Sequence, residues 1–108
     1  VSTTDIIARV AEARGVTVKA IRFGGAHKHV AYPRHEAMWL LRRHTNLSFP
    51  SIGNLLGGRD HSTVMSGVKR VQALVEARPH YAAELDGLLR PVRYIPLKGM
   101  FAEEGAGL

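Results

Sequence analysis

Apolar positions recur at helical spacing along most of the chain, in runs closed by glycine or proline. Ser2-x-x-Asp5 reads as a capping box, and Ile6, Ile7, Val10, Ala11 and Ala13 follow until Gly15, which predicts a first helix over residues 3–14. Thr17 caps a short second helix over Val18 to Phe23, broken by Gly24-Gly25. Ala26 to Tyr32 shows no clear period and reads as a basic loop ended by Pro33. Pro33 suits the first position of a helix, and Ala37, Met38, Leu40 and Leu41 give that helix an apolar stripe through about Thr45. Ser48 caps a fourth helix holding Ile52, Leu55 and Leu56, with Pro50 in its first turn and Gly57-Gly58 as its end. Asp60 caps a longer helix whose Val64, Val68, Val71 and Val75 share one face, and Pro79 stops it. Tyr81, Ala82, Leu85, Leu88 and Leu89 predict a sixth.

The longest strand-like run is Val92-Arg93-Tyr94-Ile95, so the expected fold class is all-α: a compact bundle of about six helices containing a helix-turn-helix and a basic loop. Residues 1–90 are expected to form the domain and residues 91–108 a flexible tail. A chain of 108 residues holds one core, and 45% apolar with 22% charged residues is an ordinary globular balance. The absence of cysteine removes disulfides, thiolate metal sites and a thiol nucleophile. No apolar run is long enough to span a bilayer, and the N-terminus shows no export signal, so a cytoplasmic protein is expected.

Charge changes the picture through its placement. Residues 14–70 carry ten Lys and Arg against Glu36 and Asp60, whereas the remainder holds five basic and seven acidic residues. A basic middle on a small domain is the footprint of a polyanion partner, most often nucleic acid.

Two helices joined by a glycine turn, the second opening on small polar residues, make a helix-turn-helix over residues 48–71. Short side chains at the start of the second helix let its backbone approach base edges, and Asp60, His61, Ser62 and Thr63 are such a set. Arg59 in the turn is placed to reach a phosphate or a neighbouring base. Asp60 and His61 lack a nucleophile or paired carboxylate, which argues against an enzyme. His27-x-His29 has no carboxylate or thiolate nearby and reads as loop histidines, not a metal site. Trp39 reads as a boundary residue covered by arginine.

The runs Thr45-Asn46-Leu47-Ser48-Phe49-Pro50-Ser51-Ile52-Gly53 and Gly57-Gly58-Arg59-Asp60-His61-Ser62-Thr63-Val64 resemble the C-terminal DNA-binding domain of the bacterial replication initiator DnaA. More weakly, the resemblance runs from about residue 3 to 75. It implies major-groove reading of duplex DNA by Arg59, Asp60, His61, Ser62 and Thr63, with Phe49 and Pro50 at the start of the preceding helix. It places phosphate contacts at Arg34, Arg42, Lys69 and Arg70, and a basic loop at His27, Lys28 and His29. Two positions depart from the family: its Thr is Ser62, and the arginine it sends into the minor groove corresponds to Ala26. The expected protein is a monomeric, nucleoid-associated binder of double-stranded DNA with no cofactor and no ATPase activity, serving replication initiation or its regulation. The rival expectation is a protein-interaction module of the same fold, with weak or non-specific DNA binding, that regulates the replication machinery by docking through residues 91–101.

Overall fold

The computed structural model describes residues 2–90. The expectations for residues 91–108, both the tail and the rival docking segment, lie outside the described residues. Six helices follow in order: α1 (Thr3–Arg14), α2 (Val18–Phe23), α3 (Lys28–His44), α4 (Phe49–Leu55), α5 (His61–Ala77) and α6 (Pro79–Gly87). There is no strand among the described residues, so the fold is all-α. Four of the helices start on side-chain caps. Ser2, Thr17, Ser48 and Asp60 accept from the backbone N–H groups of Asp5, Ala20, Ser51 and Ser62, each satisfying a donor that the first turn would leave unpaired. Gly15, in the left-handed region at φ 71°, closes α1 with bonds back to the carbonyls of Ala11 and Glu12.

α3 is the hub and packs against all five other helices. Its Ala37, Met38, Leu40 and Leu41 meet Ile6 and Val10 of α1, Ile21 of α2, Ile52 of α4, Val64 of α5 and Leu85 of α6 in one buried core. Gly67 allows α5 to lie close to α3, since a Cβ there would come within 2.5 Å of the Met38 sulfur.

The start of α3 corrects the sequence reading. Lys28 to Tyr32 are helical, and Pro33 lies inside the helix as its sixth residue. A proline so close to the N-terminus forfeits one bond, to the His29 carbonyl. Burial of Val30 and Pro33 on the stripe continued by Ala37 compensates for it. Of the expected loop only Ala26 and His27 stay outside a helix, after Gly24-Gly25, and Lys28 and His29 occupy the first turn of a 17-residue helix.

Polar contacts tie α6 to the hub. Glu36, 7% exposed, accepts two bonds from Arg14 at 2.8 and 2.9 Å and one from the Tyr81 hydroxyl, joining α1, α3 and α6. Burial and the Glu36 carboxylate push the Tyr81 phenol above its ordinary range. At the other end of α3, Arg43 and His44 both reach Asp86 of α6, at 3.2 and 2.7 Å. Burial works against the Asp86 charge, but the hydrogen bonds from His44 and Arg43 prevail and hold its carboxyl below the ordinary value. A depressed carboxyl contributes stability above its unfolded pKa and loses it as pH falls through the folded one. Asp86→Ala is therefore expected to cost about 1 kcal/mol at neutral pH, kept small by screening at the half-exposed Arg43. Urea melts should show that cost vanishing in acid, where wild type and variant converge.

Candidate nucleic-acid interface

The glycine turn sets the angle between α4 and α5. Gly57 and Gly58 have φ of 81° and 80°, and the N–H groups of Leu56, Gly58 and Arg59 all converge on the Gly53 carbonyl. A Cβ on Gly53 would come within 2.0 Å of the Arg59 carbonyl oxygen, so the turn packs directly on the α4 backbone. Asp60 then starts α5, its Oδ2 accepting the Ser62 N–H at 2.9 Å. That backbone bond holds the carboxyl below its ordinary value. The other oxygen, Oδ1, lies 3.6 Å from Nδ1 of His61. His61, Ser62 and Thr63 follow in the first turn, all exposed, while Val64 behind them is fully buried. Their backbone is thus anchored by the core while their side chains face outward.

Two residues expected at the DNA face turn inward. Arg34 is 5% exposed, and its guanidinium donates to the carbonyls of Ile21 at 2.7 Å, Ala20 at 3.2 Å and Gly24 at 2.8 Å. Ala20 also accepts the Gly24 N–H at 2.7 Å, but the Ile21 and Gly24 carbonyls lie where the C-terminus of α2 supplies no backbone donor, so Arg34 caps α2 and is corrected from a phosphate contact to a structural residue. Arg59 donates through Nη2 to the carbonyls of Arg22 at 3.2 Å and Gly24 at 2.9 Å, and its Nε is buried without a partner. Half-buried, it clamps the turn to α2 through Nη2. Burial and the neighbouring Arg59 charge both hold Arg34 below its ordinary value.

The remaining cations divide by position. Arg42 stands 4.5 Å from the centre of the Phe49 ring and donates to the Leu47 carbonyl at 2.9 Å, so it braces the entry to α4 while staying exposed. Phe49 is half-buried beneath it and Pro50 is exposed. Arg43 lies over Trp39 at 5.0 Å and turns toward Asp86 on α6. Trp39 is buried and donates to Gln72 at 2.9 Å, which bears out the packing reading over a stacking platform. Lys69 and Arg70 are exposed on α5 and form no ion pair among the described residues. Arg70 borders a cleft of about 500 Å³ shared with Tyr32, His35, Leu74 and Tyr81. His35 there is held below its ordinary value by burial, then by Arg70 and Arg34. His27, Lys28 and His29 are exposed at the N-terminus of α3.

Sequence reading missed Arg22 and His35. Arg22 donates from Nε to the Leu55 carbonyl at 2.9 Å, tying α2 to the end of α4. Only the fold shows these contacts, because each joins residues remote along the chain. Among the described residues, no group of three or more His, Cys, Asp or Glu could hold a metal, and no helix is long and apolar enough to cross a membrane.

The family model described as bacterial dnaA protein helix-turn-helix matches residues 3–71, from α1 into α5. The chromosomal replication initiator protein DnaA of Thermus thermophilus is 42% identical over 89 residues, covering 82% of this chain and 20% of that protein. The proteins of the same name from Leifsonia xyli subsp. xyli and Herpetosiphon aurantiacus are each 44% identical, over 78 and 71 residues. These matches cover 72% and 66% of this chain and 16% and 15% of those proteins. This chain thus spans no more than about a fifth of the relatives it matches. With a family model matching more than half its length, the chain belongs to the bacterial DnaA helix-turn-helix family.

Proposed function

We propose that the chain binds double-stranded DNA sequence-specifically, with the first turn of α5 in the major groove, in chromosomal replication initiation or its regulation. One observation carries this reading. His61, Ser62 and Thr63 stand exposed on a turn held rigidly by the Asp60 cap, by Gly53 and by the buried Val64. Short polar side chains on a fixed backbone are what base-edge reading requires. The relatives' name, chromosomal replication initiator protein, supplies the biological setting.

Around that turn, Lys28, Arg42, Lys69 and Arg70 serve as phosphate contacts, and Pro50 lies against the backbone at the start of α4. Lys28 gains from its place at the N-terminus of α3, where the helix dipole and unpaired N–H groups favour an anion. His27 and His29 flank it. Asp60 acts first as the cap, leaving base reading chiefly to His61 and Thr63. The protein works as a nucleoid-associated monomer and performs no chemical step; contacts with replication proteins would extend this role.

Titrating salt against a duplex recovered from a randomised library tests the reading. Four neutralised phosphates give a log–log slope of about −3.6. A slope shallower than about −2 on every duplex, or equal affinity for recovered and random sequences, overturns it.

A further inference from the structure

Phe23, the last residue of α2, is the most exposed large apolar side chain among the described residues, at 60%. Its backbone is nevertheless firmly held. The carbonyls around it, those of Ala20, Ile21, Arg22 and Gly24, accept from the inward-turned guanidiniums of Arg34 and Arg59. Arg22 stacks over the ring at 5.0 Å, and Gly57 passes so close that a Cβ there would lie 3.0 Å from a ring carbon. A rigidly presented ring in water is a surface that gains from being covered.

Charge and position indicate what covers it. Residues 13–35 contain no acid, against five Lys and Arg and three His, which suits a polyanion. The ring also lies at a seam. Gly57, which packs against the ring, opens the turn that leads to His61, and Gly24 to Ala26 link Phe23 along the chain to His27 and Lys28.

We infer that Phe23 is an apolar contact to duplex DNA beside the α5 footprint, packing on the sugars and base edges next to the groove that α5 enters. Apolar side chains pack against the sugars and base steps of duplex DNA, so a phenyl ring can add to binding there by packing instead of charge. The inference rests on the DNA-binding reading above and adds to it a contact that releases no counterion.

That last property sets the test, made on the full chain with the recovered duplex. Phe23→Ala is expected to weaken binding about tenfold, the loss of most of one ring's burial, with the salt slope unchanged. Because the ring is exposed, its melting temperature should stay near that of wild type. Phe23→Trp adds a second indole to a chain whose Trp39 is buried. Its emission, after subtraction of the wild-type signal, should shift to shorter wavelength and become shielded from acrylamide when duplex is added. If wild type binds duplex but Phe23→Ala binds within about twofold of it, or the new indole stays equally quenchable, the contact is refuted while the DNA-binding reading stands. If wild type itself binds no duplex, the functional reading fails, and the contact with it.

Discussion

Arg34→Ala is expected to lower the free energy of unfolding by about 3 kcal/mol, while leaving the salt slope of DNA binding by the folded protein unchanged. The side chain is 5% exposed and donates to three carbonyls. Alanine would leave the Ile21 carbonyl without its partner in a site that water reaches poorly, and would take one of two donors from Ala20, which keeps the Gly24 N–H, and from Gly24, which keeps Arg59. α2 has only six residues and a single buried side chain, Ile21, so its end depends on the guanidiniums of Arg34, Arg59 and Arg22. The second guanidinium there cannot substitute, since Arg59 reaches Gly24 and Arg22 but neither Ala20 nor Ile21. Arg34→Lys should recover only part of the loss, because an ammonium lacks the planar fork that spans three acceptors. Urea unfolding measures the first effect and salt titration below the melting transition the second. A variant of unchanged stability whose slope shrinks by about one would return Arg34 to the phosphate contacts.

The contrast between Arg34 and the helices shows what can be read from a sequence of this kind. Caps and stops are local: Ser2 with Asp5, Thr17 with Ala20 and Ser48 with Ser51 lie three residues apart, and the helix bounds they set were legible without a fold. Trp39 was legible too, because Arg43 one turn later could be expected to cover it. The start of α3 was not. Pro33 marks a helix start by rule, and the apolar positions that override the rule, Val30 and Pro33 itself, count only once something is packed against them. Arginine roles were the least legible. Lys69 points outward and Arg34 and Arg59 point inward although all three lie in the same basic stretch, and the difference is made by carbonyls 10 to 37 residues away. Glu36 is likewise one of two acids in that stretch, and only the fold brings Arg14 and Tyr81 to it from α1 and α6.

Within the recognition turn, substitutions should separate base reading from helix capping. His61→Ala and Thr63→Ala are each expected to cost about 1–3 kcal/mol on the recovered duplex and far less on random DNA, with stability nearly unchanged. Both side chains are exposed, and nothing in the core depends on them. Asp60→Ala should behave differently. It removes the acceptor of the Ser62 N–H, so α5 frays at its start and the melting temperature falls before any base contact is considered. Since the cap holds the Asp60 carboxyl below its ordinary value, its stabilising effect is present above the unfolded pKa and is lost as pH falls through the folded one. Asp60→Asn keeps an oxygen for the cap and should restore most of the melting temperature. If Asp60→Asn also restores specific affinity, Asp60 serves the DNA only by holding the turn. If it stays weak on the recovered duplex while melting normally, the carboxylate itself reads a base amine and belongs beside His61 and Thr63. Equal losses on recovered and random duplexes for both His61→Ala and Thr63→Ala would instead remove the first turn of α5 from the groove altogether.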